Sequence, residues 1–260
     1  MNWIVKYLKS SVGRKQIMGG TGILIALWIF MHMVGNLVLL VPAITYFVGD
    51  ASAFAAALES TKMGYNSYSW LLTHNAMILG GMEIVMGLAL LLHFYMAITL
   101  TLENRKARPQ AYAVNKRIGT QSLATFTMIY SGIWILVYLI FHIKNLKLGT
   151  YLDLETTKVI LAGFQLDFNE TIKIRDMFTT TITEFGRPLY ATFYVLSMVV
   201  LGFHLFHAIS SAFQTMGVSH QRWNTIIKYG SMGFSIVISV GFALEAIACF
   251  IIGSVVNGRF

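Results

Sequence analysis

The chain has 260 residues, of which 56% are hydrophobic and only 12% carry a charged side chain. An average soluble domain has about 25% charged residues, so this composition excludes an ordinary soluble fold and indicates a membrane protein. The net charge of +8 does not indicate nucleic-acid binding, because the basic residues flank apolar segments, where they set membrane orientation.

Five segments are apolar over the length of about 20 residues that a helix needs to cross a bilayer. The predicted spans are residues 17–41, 71–102, 118–143, 189–213 and 229–256. Pro42 and Asp50 mark the predicted exit of the first span, and Cys249, the only cysteine, lies in the fifth. One cysteine excludes an internal disulfide and a covalent haem-attachment motif. We therefore predict an all-α membrane protein.

The chain shows no internal repeat and no linker, which predicts a single domain over residues 1–260. A long outer loop at 144–187 follows the third span, and the stretch 172–182 within it is predicted to form a surface helix. The three segments on one side of the membrane hold eleven basic residues, whereas the first outer loop holds only Lys62 and the C-terminus only Arg259. The excess of Lys and Arg predicts a cytoplasmic N-terminus and a C-terminus outside.

Four histidines lie in four different spans, and a histidine within a membrane helix is costly unless it is paired or coordinated. At 1.5 Å of rise per residue, His32 and His142 fall in the outer half of the membrane, whereas His93 and His204 fall in the cytoplasmic half. Two pairs at matched depth are what bis-histidine ligation of two stacked haems b requires. We therefore predict that the first four helices form a bundle around two haems b.

The sequence is also consistent with other roles for these histidines. A single intramembrane histidine is as often a hydrogen-bonded core residue as a ligand, and His207 competes with His204 because both lie on one helix face. His74 and His220 are predicted to be solvated or interfacial. A haem-free transporter that uses histidines for protons or metal is the main rival, but the spans lack the acidic sites that hard cations use.

Three motifs are specific enough to indicate a family. They are SSVGRKQIMGGTGILIALWIFMHMVGNL at Ser10–Leu37, ARPQAY at Ala107–Tyr112 and FHLFHAISSAFQTMG at Phe203–Gly217. Together they resemble the cytochrome b membrane anchors of succinate:quinone oxidoreductases, in the single-chain, five-helix, dihaem form found in bacterial succinate dehydrogenases and menaquinol:fumarate reductases. The resemblance covers nearly the whole chain and is weakest in the loops at 43–69 and 147–168.

The resemblance implies a role for each histidine. It makes His32 and His142 the iron ligands of a distal haem, and His93 and His204 those of a proximal haem nearer the cytoplasm. It also selects His204 over His207 and implies that the fourth helix closes at Gly217.

The resemblance implies partners as well: an FAD-containing flavoprotein and an iron-sulphur subunit on the cytoplasmic face of a bacterial cytoplasmic membrane. The chain then passes electrons to menaquinone or another quinone within the lipid and does not itself act on succinate.

Two acidic residues, Glu83 and Glu245, are the only charged residues in the second and fifth spans. An ionisable group in a span indicates a proton path or a quinone contact, so both are predicted to exchange protons with quinone. Related anchors can carry a glutamate two residues before the fourth-helix ligand, where this chain has Gly202, so that proton route does not carry over. The nearest alternative function is a dihaem anchor for another dehydrogenase, such as a hydrogenase or formate dehydrogenase.

Overall fold

The structure, a computed structural model, describes residues 2–107, 123–149, 152–161 and 164–258, and most of them are helical. The helices are α1 (Trp3–Lys9), α2 (Ser11–Asn36), α3 (Leu40–Val48), α4 (Ala51–Thr73), α5 (Ala76–Lys106), α6 (Leu123–His142), α7 (Met177–Phe185), α8 (Pro188–Thr215) and α9 (Gln221–Val256). A 3-10 turn, Leu37–Leu39, joins α2 to α3, and a π-helical turn, Ile143–Lys147, follows α6. Strands β1 (Asp153–Leu161) and β2 (Phe164–Arg175) pair as an antiparallel hairpin.

Five helical segments are long and apolar enough to cross a membrane, judged by length and composition. They are Ser11–Val48, Ala76–Lys106, Thr127–Lys147, Pro188–Thr215 and Gln221–Val256. Large apolar side chains are exposed along them, including Leu27 at 56% and Leu91 at 69% of full exposure. Helices that expose many large apolar side chains suit lipid and not water. The prediction of a helical, multi-pass membrane protein is confirmed at this level.

Several helices begin or end at residues other than the predicted span boundaries. Pro42 does not end the first span, because it lies in the first turn of α3, where its missing N–H has no intrahelical acceptor. Leu71 belongs to α4 and does not start the second span. That span begins after Asn75, whose side-chain oxygen accepts hydrogen bonds from the N–H groups of Met77 and Ile78 and so caps α5.

The remaining boundaries differ by smaller amounts. Helix α9 begins at Gln221, eight residues before the predicted start at 229, and α5 and α8 extend slightly beyond the predicted spans. The predicted start of the third span, at 118–122, lies outside the described residues. So do the residues of the ARPQAY motif beyond Ala107.

The loop predicted at 144–187 is largely ordered structure. It contains the π-helical turn, the hairpin and α7, so the predicted helix at 172–182 starts too early, since residues 172–175 belong to β2. Alternating apolar residues in β2, such as Leu166, Phe168, Ile172 and Ile174, have the period of two that is typical of a strand. The hairpin is an exception to the all-α prediction.

Residue contacts divide the chain into two compact units. The first unit comprises residues 1–30, 83–135 and 200–238, and the second comprises residues 31–82, 136–199 and 239–260. Within the first unit, a Cβ on Gly19 would lie 3.4 Å from the Cβ of Ala212, a close small-residue contact typical of membrane helices. Arg14 also donates two hydrogen bonds, of 2.6 and 2.5 Å, to the carboxylate of Glu103.

Asp176 joins α7 to α4 within the second unit. Its carboxylate is only 4% exposed and accepts hydrogen bonds from Asn66 Nδ2 at 2.9 Å and from the N–H of Thr179 at 3.0 Å. Lys62 Nζ lies 3.1 Å from the second carboxylate oxygen. Asn66 in turn accepts a hydrogen bond of 2.9 Å from the N–H of Phe178. The start of α7 is therefore fixed to α4 through a network in which the buried charge is paired.

We expect Asp176→Ala to lower the free energy of unfolding by about 3 kcal/mol, because it removes a helix cap and leaves Asn66 and Lys62 without their acceptor. Burial raises the pKa of the Asp176 carboxyl, but hydrogen bonds from Thr179, Asn66 and Lys62 outweigh it, so the net pKa lies below its usual value. The stabilisation is therefore fully present above the unfolded pKa of about 3.9. It is lost as the pH falls through the lower folded pKa.

Thermal unfolding of the detergent-solubilised protein at a series of pH values measures both effects. Asp167→Ala is the matched control, since Asp167 is exposed on β2. An equal loss of stability in the control would show that the effect at Asp176 does not come from the buried network.

Candidate cofactor-binding site

The structure brings the four candidate histidines together as two pairs. His32 on α2 lies beside His142 on α6 in the second unit, with ring centroids 5.9 Å apart. His93 on α5 and His204 on α8 both lie in the first unit, close enough to interact electrostatically. These are the pairs that depth in the sequence predicts, and their role as haem ligands stays a prediction.

The tautomer of His93 is fixed by a backbone carbonyl on another helix. His93 Nδ1 lies 3.0 Å from the carbonyl oxygen of Met18 on α2. A carbonyl oxygen only accepts hydrogen bonds, so Nδ1 carries the proton. The neutral imidazole then presents its Nε2 lone pair, which is the atom that binds a metal.

His204 is oriented in the same way by a serine. Its Nδ1 lies 3.0 Å from Ser131 Oγ on α6, and that hydroxyl donates its own hydrogen to the carbonyl oxygen of Met128 at 3.0 Å. Ser131 must therefore accept the hydrogen of His204 Nδ1, which leaves Nε2 of His204 unprotonated. His207, one turn further along α8, is also partly buried and lies within electrostatic range of His204.

A glycine lies against each imidazole of this pair. A Cβ on Gly22 would lie 3.1 Å from His93 Cε1, which is too close without movement of the ring, and a Cβ on Gly132 would lie 3.7 Å from His204 Cε1. The absence of a side chain at Gly22 thus lets the His93 ring lie directly against the backbone of α2.

The pair in the second unit has an aromatic environment. The rings of His32 and His142 are nearly perpendicular, at 86°, and Phe242 on α9 lies 5.9 Å from His32. Tyr138 and Tyr194 flank His142, and the hydroxyl of Tyr194 lies 3.4 Å from His142 Nδ1. The π-helical turn begins at the residue after His142, and such turns are frequent at functional sites.

These donor groups fit a haem b. A metal-bound histidine usually donates its second ring N–H to a nearby oxygen, which fixes the ring and its tautomer. The carbonyl of Met18 and the hydroxyls of Ser131 and Tyr194 supply such an oxygen for three of the four histidines.

His74 differs from the four paired histidines in the location of its hydrogen-bond partners. Its Nδ1 contacts only carbonyls of its own helix, and its exposed ring stacks on Trp70 at 4.1 Å. No second histidine on another helix is paired with it in the described part of the chain. The two candidate sites are therefore distinguished by histidines paired across helices, three of which contact an oxygen of a further helix.

The sequence matches no family model, no curated protein and no solved structure. The resemblance to cytochrome b anchors thus rests on the three motifs, with the histidine geometry beside them. Within the described ranges, no three His, Cys, Asp or Glu side chains form a site that could hold a metal ion. A haem iron takes only two ligands from the protein, so this finding does not bear on the paired histidines.

The two glutamates have different surroundings. Glu245 on α9 is 5% exposed, and its carboxyl is hydrogen-bonded with the side chain of Asn36. Tyr65 donates a hydrogen bond of 3.2 Å to Asn36 Oδ1. The other carboxyl oxygen, Oε1, is buried without a hydrogen-bond partner among the described residues. Glu83 is exposed on α5 and belongs to the first unit, whereas Glu245 belongs to the second.

Sequence reasoning did not find the residues that hold the histidines. Ser131 and Tyr194 lie in apolar spans, where a serine or a tyrosine is common, and the Met18 partner is a backbone carbonyl that no residue type marks. Asn36 offered the clearest missed signal, since an amide within a span needs a partner. Its partners are Tyr65 and Glu245.

Proposed function

We propose that the chain is the membrane-anchor cytochrome b subunit of a succinate:quinone oxidoreductase. In this proposal it carries electrons between an iron-sulphur subunit and a membrane quinone through two haems b, one held by His93 and His204 and the other by His32 and His142. The observation that carries the proposal is the pairing of histidines from different helices. In the first unit, both members of the pair have Nδ1 on an oxygen and Nε2 free. The haems supply one-electron transfer when bound.

The residues around His93 and His204 support this role. Oxygens of Met18 and Ser131 hold two imidazoles in the metal-binding tautomer, and Gly22 leaves room for the ring of His93. The apolar helices exclude water, which favours neutral imidazole over the charged form. Two neutral nitrogens per site suit an iron ion, whereas hard cations need several oxygens.

The proposal includes a quinone, with menaquinone as first choice, because the dihaem anchors that the chain resembles usually use it. Quinone reduction consumes protons as well as electrons. Glu245 is the better placed proton donor, since its buried carboxyl oxygen Oε1 has no partner among the described residues, and Glu83 is the second candidate. The proposed location is the bacterial cytoplasmic membrane, with the N-terminus and both partner subunits on the cytoplasmic side.

Purification of the native complex through a tag on this chain tests the choice of enzyme. We expect a flavoprotein with bound FAD and an iron-sulphur protein to co-purify, together with succinate:quinone activity. Nickel or molybdenum in place of FAD would contradict the proposal and indicate an anchor of a hydrogenase or formate dehydrogenase. A chain that purifies alone and without haem would indicate a histidine-based transporter.

A further inference from the structure

We propose that Tyr194, Tyr190 and Asn145 form a hydrogen-bonded relay on His142 that lowers the reduction potential of the haem held by His32 and His142. This inference rests on the proposed function and adds to it a means by which the protein makes the two haems different. Tyr194 acts as a positioning residue in this proposal, because it acts through His142.

The relay consists of contacts within the second unit. The Tyr194 hydroxyl lies 3.4 Å from His142 Nδ1 and shares a hydrogen bond of 2.7 Å with the hydroxyl of Tyr190. The side chain of Asn145, in the π-helical turn after α6, lies close enough to the Tyr190 hydroxyl to interact with it. The four side chains therefore form a continuous chain that begins and ends on one helical segment.

Packing holds the middle of the relay in place. Tyr194 is only 3% exposed, and its ring lies 4.6 Å from that of Phe185 and 4.9 Å from that of Tyr138, both in edge-to-face contact. A ring held on two sides cannot swing its hydroxyl away from His142. The packing therefore keeps the Tyr194 hydroxyl beside His142 Nδ1.

The direction of the hydrogen bonds follows from metal binding. An imidazole that gives Nε2 to iron must carry its proton on Nδ1 and donate it to the Tyr194 oxygen. In the structure the Tyr190 hydroxyl donates to the Tyr194 oxygen. A hydroxyl can rotate and both accept and donate, so with iron on His142 Tyr194 would donate to Tyr190, and Tyr190 would donate to the side-chain oxygen of Asn145. Every polar hydrogen then has an acceptor, and bonds aligned in this way strengthen one another.

The relay changes the reduction potential of the haem iron through the strength of the hydrogen-bond acceptor at His142 Nδ1. A stronger acceptor at Nδ1 makes the imidazole a more basic ligand. A more basic ligand stabilises the ferric state relative to the ferrous state, which lowers the reduction potential. In the first unit, His93 contacts a backbone carbonyl, and His204 contacts Ser131, which donates to a backbone carbonyl. His142 instead contacts a tyrosine that is bonded to a second tyrosine, so the two sites differ in the acceptors behind their ligands.

Potentiometric measurement of the two haem midpoints in the purified complex tests the relay. In Tyr194→Phe we expect one midpoint to rise, because His142 loses its acceptor, while the other midpoint stays unchanged. In Tyr190→Phe we expect the same midpoint to rise by a smaller amount, because Tyr194 remains but loses the acceptor for its own hydrogen. A purely structural role of the tyrosines does not predict this graded shift in one haem.

Two control variants complete the experiment. Tyr46→Phe changes a tyrosine of the same unit whose ring contacts are with Phe47 and Phe54, and we expect it to move neither midpoint. Ser131→Ala is expected to move the midpoint that Tyr194→Phe leaves unchanged. The relay is overturned if Tyr190→Phe leaves both midpoints in place or lowers the midpoint that Tyr194→Phe raises. In that case two bound haems together with a co-purified flavoprotein still uphold the proposed function. A wild-type complex without haem overturns both.

Discussion

We expect His204→Ala to remove one of the two proposed haems from the purified complex and His207→Ala to leave both. The reason is that His204 has its Nδ1 hydrogen bound by Ser131 and its Nε2 free for a metal. Loss of a residue that hydrogen-bonds to a metal ligand weakens metal binding by roughly 10 to 100-fold. Loss of the axial ligand itself weakens haem binding by more than that. Haem content per chain and the reduced-minus-oxidised spectrum measure the result.

Ser131→Ala provides a smaller loss of haem affinity with which the loss in His204→Ala can be compared. The variant keeps the His204 ligand but removes the oxygen behind it, so we expect haem affinity to fall by roughly 10 to 100-fold without complete loss. If His207→Ala removes a haem and His204→Ala does not, the ligand on α8 has been assigned to the wrong histidine.

If the chain has the proposed function, we expect Glu245→Gln to slow quinone reduction by about 100-fold, with both haems still bound and still reducible by succinate. Glutamine keeps the shape of the side chain and its bond with Asn36, but it cannot deliver a proton, and removal of a proton donor typically costs a factor of this size. Steady-state quinone reduction and the rate of haem reduction by succinate together separate proton delivery from electron transfer.

Two further glutamates serve as comparisons for this variant. Glu83→Gln is expected to have a smaller effect, because Glu83 is exposed on α5, and Glu59→Gln is expected to have none, because Glu59 is exposed on α4 outside the candidate spans. Full quinone activity in Glu245→Gln would remove Glu245 from the proton route.

The sequence was sufficient for the features that depend on hydropathy and on helical rise. Long apolar segments predicted five span-capable helices, and a fixed rise per residue allowed histidines on different spans to be compared in depth. That comparison predicted which histidines lie close together, because His32 and His142, on separate spans, share one level.

Hydropathy and helical rise did not predict helix ends, which depend on capping, or the side chains that contact each histidine. Asp50 was interpreted as the exit of the first span, but its side chain accepts a hydrogen bond of 2.8 Å from the N–H of Ala53 and caps α4. The rotation of each helix about its axis decides that Ser131 and Tyr194 face histidines. Apolar spans carry little amphipathic pattern from which that rotation can be read.

The haem content of the purified chain tests the central claim most directly. A pyridine haemochrome measurement combined with a protein assay counts the haems per chain. A low-temperature electron paramagnetic resonance spectrum of the ferric iron reports the ligation. We expect two haems b per chain, both low-spin with two histidine ligands. One haem per chain, or none, would contradict it.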